Sequence, residues 1–311
     1  MTLFLLAAAV AVALFLYTRW RTGVIEDRYP PQGRFLDVEG VRVHLLEAGA
    51  PDAPPVVLLH GASGNALDQM RGLGEVLSRS YRVIAFDRPG LGYSARPPSA
   101  ELSTPAAQAR LCVAALTRMG VEKAVVVGHS WGGAMALALA LDYPDRVGGL
   151  VLLAPVSHPW PGGITWYYRL AGLPFVGRVF CHLVVLPVGE VVVEGSAAGA
   201  FRPEQPPAGY ADKIAARLVL RPQSFRANGQ DMSGLKAAVT MQARRYGYIA
   251  VPTLIVAGER DGSVSPDIHA RTLQRQIEGA RLVMLPGAGH MPHWTARDRI
   301  AAEMAQMFPS V

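Results

Sequence analysis

The sequence predicts an α/β protein: a mostly parallel, eight-stranded sheet with helices on both faces, one helical insertion, and an apolar helix ahead of it all. Three observations predict this. Short, wholly apolar runs bounded by turn residues recur along the chain. Helix-like stretches of roughly ten to fifteen residues alternate with them, as in crossover-connected parallel sheets. The alternation fails once, between about 156 and 249, where aromatic residues and Pro or Gly recur every few positions.

The strands are expected at 35–38 and 41–47, turning at Glu39-Gly40, and at 56–59, between Pro54-Pro55 and His60-Gly61. Five more follow at 81–86, 124–127, 150–153, 253–256 and 281–285. Helices are expected at 67–78, 105–119, 131–142, 267–277 and 295–307, and Thr104-Pro105 offers an N-cap followed by proline at the first helical position. The organisation that results is an amino-terminal segment 1–21, a linker 22–34, a core in two parts (35–155 and 250–311), and a lid-like insertion 156–249 between the sixth and seventh strands.

Composition narrows the function. Half of the 311 residues are apolar and 17% are charged, and mean hydropathy is +0.21, which excludes a disordered chain. The net charge of +6 is spread without a basic block, so no nucleic-acid partner is expected. Cys112 and Cys181 form no C-x-x-C pattern and read as small buried hydrophobes.

Residues 2–17 are an almost unbroken apolar run, with Tyr17 and Trp20 as interfacial aromatics and Arg19 and Arg21 able to snorkel. A helix over that run reaches roughly 24 Å, somewhat short of a hydrocarbon core of about 30 Å. A single-pass anchor is the expectation. Arg19, Arg21 and Arg28 then leave the body cytoplasmic, because basic residues stay on the inner side. Two other readings stay open: a signal peptide, with the enzyme exported after cleavage, and a soluble helix packed on the body. Against the signal peptide, no Lys or Arg precedes the apolar run.

The chemistry is concentrated in Gly128-His129-Ser130-Trp131-Gly132, a G-x-S-x-G match between an expected strand and an expected helix. Such a sharp turn holds the serine at its tip in a strained conformation, and the two glycines remove Cβ atoms that would collide. A serine hydroxyl needs a base. His290, in Gly287-Ala288-Gly289-His290, follows the last strand and so lies at the carboxyl edge where Ser130 would sit. His293 competes with it. A His290/His293 metal pair finds no accompanying carboxylate or cysteine in sequence, so no metal is expected. The imidazole in turn needs a carboxylate. Asp261, in Gly258-Glu259-Arg260-Asp261-Gly262, fits, with Glu259 and Asp267 as rivals, while 154–160 holds no acid at all.

The order Ser130, Asp261, His290 is that of one fold family, and over about residues 35–310 the chain resembles the α/β-hydrolase superfamily, in its small lidded esterase- and lipase-like branch. His60-Gly61-Ala62-Ser63 is similar to that family's H-G-x loop. The resemblance implies an oxyanion hole made by the N–H groups of Ala62 and Trp131, where one donor is commonly worth about 3 kcal/mol of barrier. Ser63 either adds a hydroxyl there or stabilises its loop, and His60 and Asp87 are expected to be structural. No cofactor is implied. The expected reaction is hydrolysis of a small-molecule carboxylic ester through an acyl-enzyme, and a serine nucleophile argues against the aspartate-dependent dehalogenases and epoxide hydrolases of this fold. Perhydrolases, thioesterases and C–C hydrolases share the constellation, and a non-enzymatic ligand-binding receptor is the alternative of a different class. The insertion resembles the family's lid. Its strongly apolar part, 170–193, has Arg169, Arg178 and Glu190 as the only nearby charges, which suggests a lipophilic acyl part delivered from the bilayer.

Overall fold

A computed structural model describes residues 1–97 and 101–308. Eight strands form one sheet in the order β1-β2-β4-β3-β5-β6-β7-β8. They are β1 (Arg34–Val38), β2 (Val41–Ala48), β3 (Pro55–Leu59), β4 (Arg82–Phe86), β5 (Ala124–His129), β6 (Val147–Leu153), β7 (Thr253–Gly258) and β8 (Arg281–Leu285). β2 runs antiparallel to both β1 and β4, and the remaining pairs are parallel. The apolar runs of the sequence are these strands, since a strand covered on both faces has no polar side to show.

Side chains alternate between two cores. On one face Val57, Leu59, Val126 and Leu152 meet α3 (Pro105–Arg118) and α4 (Trp131–Asp142). On the other, Val56, Leu58, Val127 and Val151 meet the helical segment begun by α2 (Ala66–Gln69) and the final helix. Thr104 caps α3 by accepting the N–H of Ala107 at 3.2 Å. The middle of α4, from Trp131 through Ala140, is buried on all sides, because its glycines and alanines let sheet, α3 and lid all approach.

The lid joins β6 to β7 and contains α5 (Trp166–Gly172), the apolar α6 (Val176–Gly199) and α7 (Pro222–Gln242), with a short turn of helix at Tyr210–Lys213. The expected helix at 67–78 begins at α2, capped by the Asn65 side chain on the N–H of Asp68. It then widens into a π-turn at Met70–Gly74. The expected helix at 267–277 shrinks to α8 (Ala270–Gln276). The one at 295–307 splits into α9 (Pro292–Thr295) and α10 (Arg297–Met307). Cys112 and Cys181 are both buried free thiols, as expected of small apolar residues.

The amino-terminal helix α1 (Thr2–Arg28) runs further than the sequence suggested. No break separates an anchor ending at Arg21 from a linker, because Pro30 is the first residue that cannot continue the helix. Over its most apolar 18 residues α1 is only 6% buried. Its second half is docked on the lid: Ile25 is 1% exposed, Arg21 pairs with Glu190, Glu26 with Arg221 at 2.8 Å, and Arg28 with Asp212 at 2.6 Å.

Candidate active site

Ser130 sits between β5 and α4 at φ 53°, ψ −116°, a conformation that costs energy in any residue bearing a Cβ. The space is as tight as the motif implies. A Cβ on Gly128 would lie 2.4 Å from the Gly132 carbonyl oxygen, and one on Gly132 would lie 2.2 Å from that of Leu59.

The loop after β8 delivers His290, whose Nε2 is 3.0 Å from Ser130 Oγ and whose Nδ1 is 2.7 Å from Asp261 Oδ2. The other oxygen of Asp261 accepts the N–H groups of Ser263 (2.8 Å) and Val264 (2.9 Å), which locks the carboxylate against rotation. A carboxylate on Nδ1 keeps the proton there and leaves the Nε2 lone pair facing the hydroxyl. Glu259 and Asp267 both lie at the surface, the latter pairing with Arg271 at 3.0 Å. Three residues expected from sequence are thus brought together, and their rivals are not.

Ala62 and Trp131 flank Ser130 along the same cavity wall. A Cβ on Gly61 would stand 3.1 Å from Ser130 Cβ, so the H-G-x loop passes directly over the nucleophile elbow. Within that loop His60 donates from Nδ1 to the Gly61 carbonyl (2.9 Å) and accepts the Arg88 N–H at Nε2 (2.9 Å). Burial, with the Arg88 charge beside it, pushes its pKa down to about 3, so it stays neutral. Ser63 has its backbone N–H bound by Asn228 Oδ1 (2.9 Å), and its hydroxyl meets Asn228 Nδ2 (2.9 Å) and Tyr168 (3.0 Å). It clasps the loop to the lid. Asp87 is structural as expected, accepting from the Ala66 and Tyr93 N–H groups and from His44.

His293 does not reach Ser130. It is fully buried and turns Nε2 to Asp68 Oδ2 at 3.1 Å, so the expectation that no carboxylate accompanies it is corrected. Asp68 lies 225 positions away and no local signal announces it. Asp68, His129 and His293 place one potential metal-ligand atom each within 4.8 Å of one another. Both Asp68 oxygens already accept protein donors, and His129 spends Nε2 on the His290 carbonyl at 2.9 Å. Hydrogen bonds within the protein thus occupy both Asp68 oxygens and one nitrogen of each imidazole, while Nδ1 of His129 and Nδ1 of His293 are buried without a partner among the described residues. Burial, reinforced by His293 and His290, pushes the His129 pKa well below the usual imidazole value.

From Ser130 and His290 a cavity of about 830 Å³ extends into the lid, where Tyr168, Val184, Val188, Val192 and Phe225 line it. Among the described residues no lysine or arginine lines this space.

Comparison with known proteins agrees with the geometry. A family described as alpha/beta hydrolase fold matches residues 54–296. The chain belongs to the α/β-hydrolase family. A 2-hydroxymuconate semialdehyde hydrolase of Pseudomonas putida is 31% identical over 278 residues, covering 86% of this chain and 89% of the relative. Among solved structures, an enol-lactonase from Burkholderia xenovorans LB400 aligns with a TM-score of 0.70 at 21% identity, over 89% of this chain and all of that one. A membrane phospholipase A, described as a bacterial virulence factor, aligns at 0.66 and 21% identity, over 99% of this chain and 98% of that one. The phospholipase alignment spans nearly the whole of this α/β hydrolase, α1 included.

Proposed function

We propose that this α/β hydrolase is a membrane-anchored serine hydrolase that cleaves carboxylic esters with an apolar acyl part. The observation that carries the reading is the apolar, cation-free cavity that begins at Ser130 and ends among the valines of α6. In the proposed reaction Ser130 Oγ attacks the ester carbonyl while His290 Nε2 takes its proton. The N–H groups of Ala62 and Trp131 hold the oxyanion. His290 passes the proton to the leaving alcohol, then activates the water that releases the acid. Asp261 stabilises the imidazolium throughout.

The Pseudomonas relative favours a second reading, hydrolysis of a C–C bond in a muconate-type substrate. Such a substrate carries a carboxylate, which would enter this cavity without a counter-ion, and an uncompensated buried charge costs several kcal/mol. A p-nitrophenyl ester series separates the two. With each methylene contributing about 0.8 kcal/mol on burial, kcat/KM should rise about fourfold per carbon until the cavity is filled. A profile that falls beyond acetate, together with turnover of a muconate semialdehyde, would establish the second reading.

The anchor makes a separate prediction. The exposed apolar half of α1 enters the bilayer, and the docked half, from Thr18 to Arg28, is part of the lid. Deleting residues 1–14 should release an active, soluble enzyme. Deleting 1–28 should also remove Ile25 from the lid core and strip Arg221 and Asp212 of their ion-pair partners Glu26 and Arg28, and so lower the melting temperature. The full-length chain should resist carbonate extraction, with its body open to protease only from the cytoplasmic side. A mature chain starting after the apolar run would instead show a cleaved signal peptide.

A further inference from the structure

Behind the Ser130–His290–Asp261 chain lies a second carboxylate–imidazole pair for which ester hydrolysis gives no direct role. Asp68 is 3% exposed and serves four donors from different parts of the fold. Oδ1 accepts the hydroxyl of Tyr210 from the lid at 2.9 Å and Trp294 Nε1 at 2.8 Å. Oδ2 accepts His293 Nε2 at 3.1 Å and, more weakly, Gln69 Nε2 at 3.4 Å. The His293 ring lies 4.3 Å from that of His129, which is itself 4.9 Å from the catalytic imidazole and donates to the His290 carbonyl. Asp68 also forms part of the cavity wall beside Ser130, together with Tyr210 and Met291.

The surrounding backbone is shaped to admit this pair. A Cβ on Gly72 would stand 2.9 Å from His293 Cδ2 and 3.0 Å from Trp294 Nε1, and Gly72 lies in the π-turn, a departure from α-geometry that recurs at functional sites. The α9 helix that carries His293 and Trp294 is a single turn, too short to hold its own position. The Asp68 carboxylate ties this turn down through His293 and Trp294, while His129 on the His290 carbonyl and Glu204 on the Gly289 N–H hold the loop just before it.

We propose that Asp68 is a positioning residue that couples the seating of the lid, through Tyr210, to the placement of the catalytic imidazole, through His293, Trp294 and the loop that begins at His290. Only an acceptor group can take all these donors together. An asparagine would turn its NH2 toward one of them and set donor against donor. Because the lid and the base share one carboxylate, the lid's closed position and the working geometry of His290 stabilise each other. The proposal rests on the hydrolase reading, and wild-type turnover of p-nitrophenyl butyrate tests that reading first, before any variant is compared.

The test uses full-length protein, p-nitrophenyl butyrate and the dodecanoate. Asp68→Asn should lower kcat on both esters by about 10- to 100-fold, the cost of a catalytic group misplaced by an ångström or so, while KM for the butyrate stays within about twofold. Tyr210→Phe should lower kcat/KM for the dodecanoate several-fold, and the double variant should be no worse than Asp68→Asn alone, because both changes act through one node. Should Asp68→Asn fail to fold, His293→Leu should reproduce its loss of kcat, and His293→Gln, which restores an N–H donor, should recover most of it. Wild-type kcat in folded Asp68→Asn, losses that multiply in the double variant, or a His293→Gln no better than His293→Leu would each overturn the proposal and leave Asp68 a structural residue.

Discussion

Ser130→Ala should abolish turnover, lowering kcat on any ester by about 10⁵- to 10⁶-fold while leaving the fold intact. The hydroxyl is the atom 3.0 Å from His290 Nε2, and no other hydroxyl is within hydrogen-bonding distance of that nitrogen among the described residues. Removing it deletes the nucleophile and disturbs little else, since alanine fits wherever the serine backbone does. His290→Ala should cost about as much. Asp261→Asn should cost about 10⁴-fold by presenting an NH2 to Nδ1 and favouring the wrong tautomer. Glu259→Gln, at an exposed position, should be silent. A fluorophosphonate probe reads the same point without a substrate: rapid labelling of the native protein, lost in Ser130→Ala, is the expected result. No labelling of the native protein would favour the non-enzymatic receptor. Loss of activity in Glu259→Gln with Asp261→Asn unimpaired would reassign the acid.

Much of this site was legible because its signals are local. The glycines around Ser130 are demanded by contacts within the elbow and with the adjacent strand β3. His290 and Asp261 both follow buried strands, whose apolar runs mark the sheet edge without any tertiary information. α4 runs from Trp131 to Asp142, as expected, because the elbow starts it and the following Tyr143-Pro144 stops it. What could not be read depends on pairings across long stretches of chain. The stretch 22–28 looks like a linker until Asp212 and Arg221 arrive from the lid to pair with it. The π-turn at Met70–Gly74 has no pattern of its own and makes sense only once His293 and Trp294 pack on Gly72. Asp68 reads as an ordinary first-turn acid. His129 reads as the variable residue of the elbow, although it is the donor that holds the His290 carbonyl.

Asp231 belongs to the same class of hidden residue, and Asp231→Ala should be the most destabilising single substitution considered for this fold. Asp231 lies on α7 of the lid with its carboxylate fully buried. It accepts Arg88 Nη1 at 2.6 Å, Arg96 Nη1 at 2.7 Å and Gln108 Nε2 at 3.2 Å. The Arg88 guanidinium is itself buried, reaches the carbonyls of His60 (3.1 Å) and Gly61 (3.2 Å), and lies 3.9 Å over the Trp131 ring. Burial draws the Arg88 pKa below its ordinary value and the Asp231 charge pulls it back up. Removing that carboxylate leaves two guanidinium groups without their counter-ion, a change that costs about 3 to 5 kcal/mol when one half of a buried pair is lost. At roughly 2 to 4 °C per kcal/mol for a domain of this size, the melting temperature should fall by about 10 °C. Breaking the half-exposed Arg245–Asp142 pair should shift it by less than about 1 kcal/mol. Because Arg88 holds the carbonyls of the loop that carries Ala62, Asp231→Ala should also lower kcat in the fraction that remains folded. A variant with native stability and native kcat would show that water or a neighbouring group replaces the carboxylate. The joint replacement Arg88→Met with Asp231→Leu, which removes both charges and keeps the volume, should recover stability without recovering kcat.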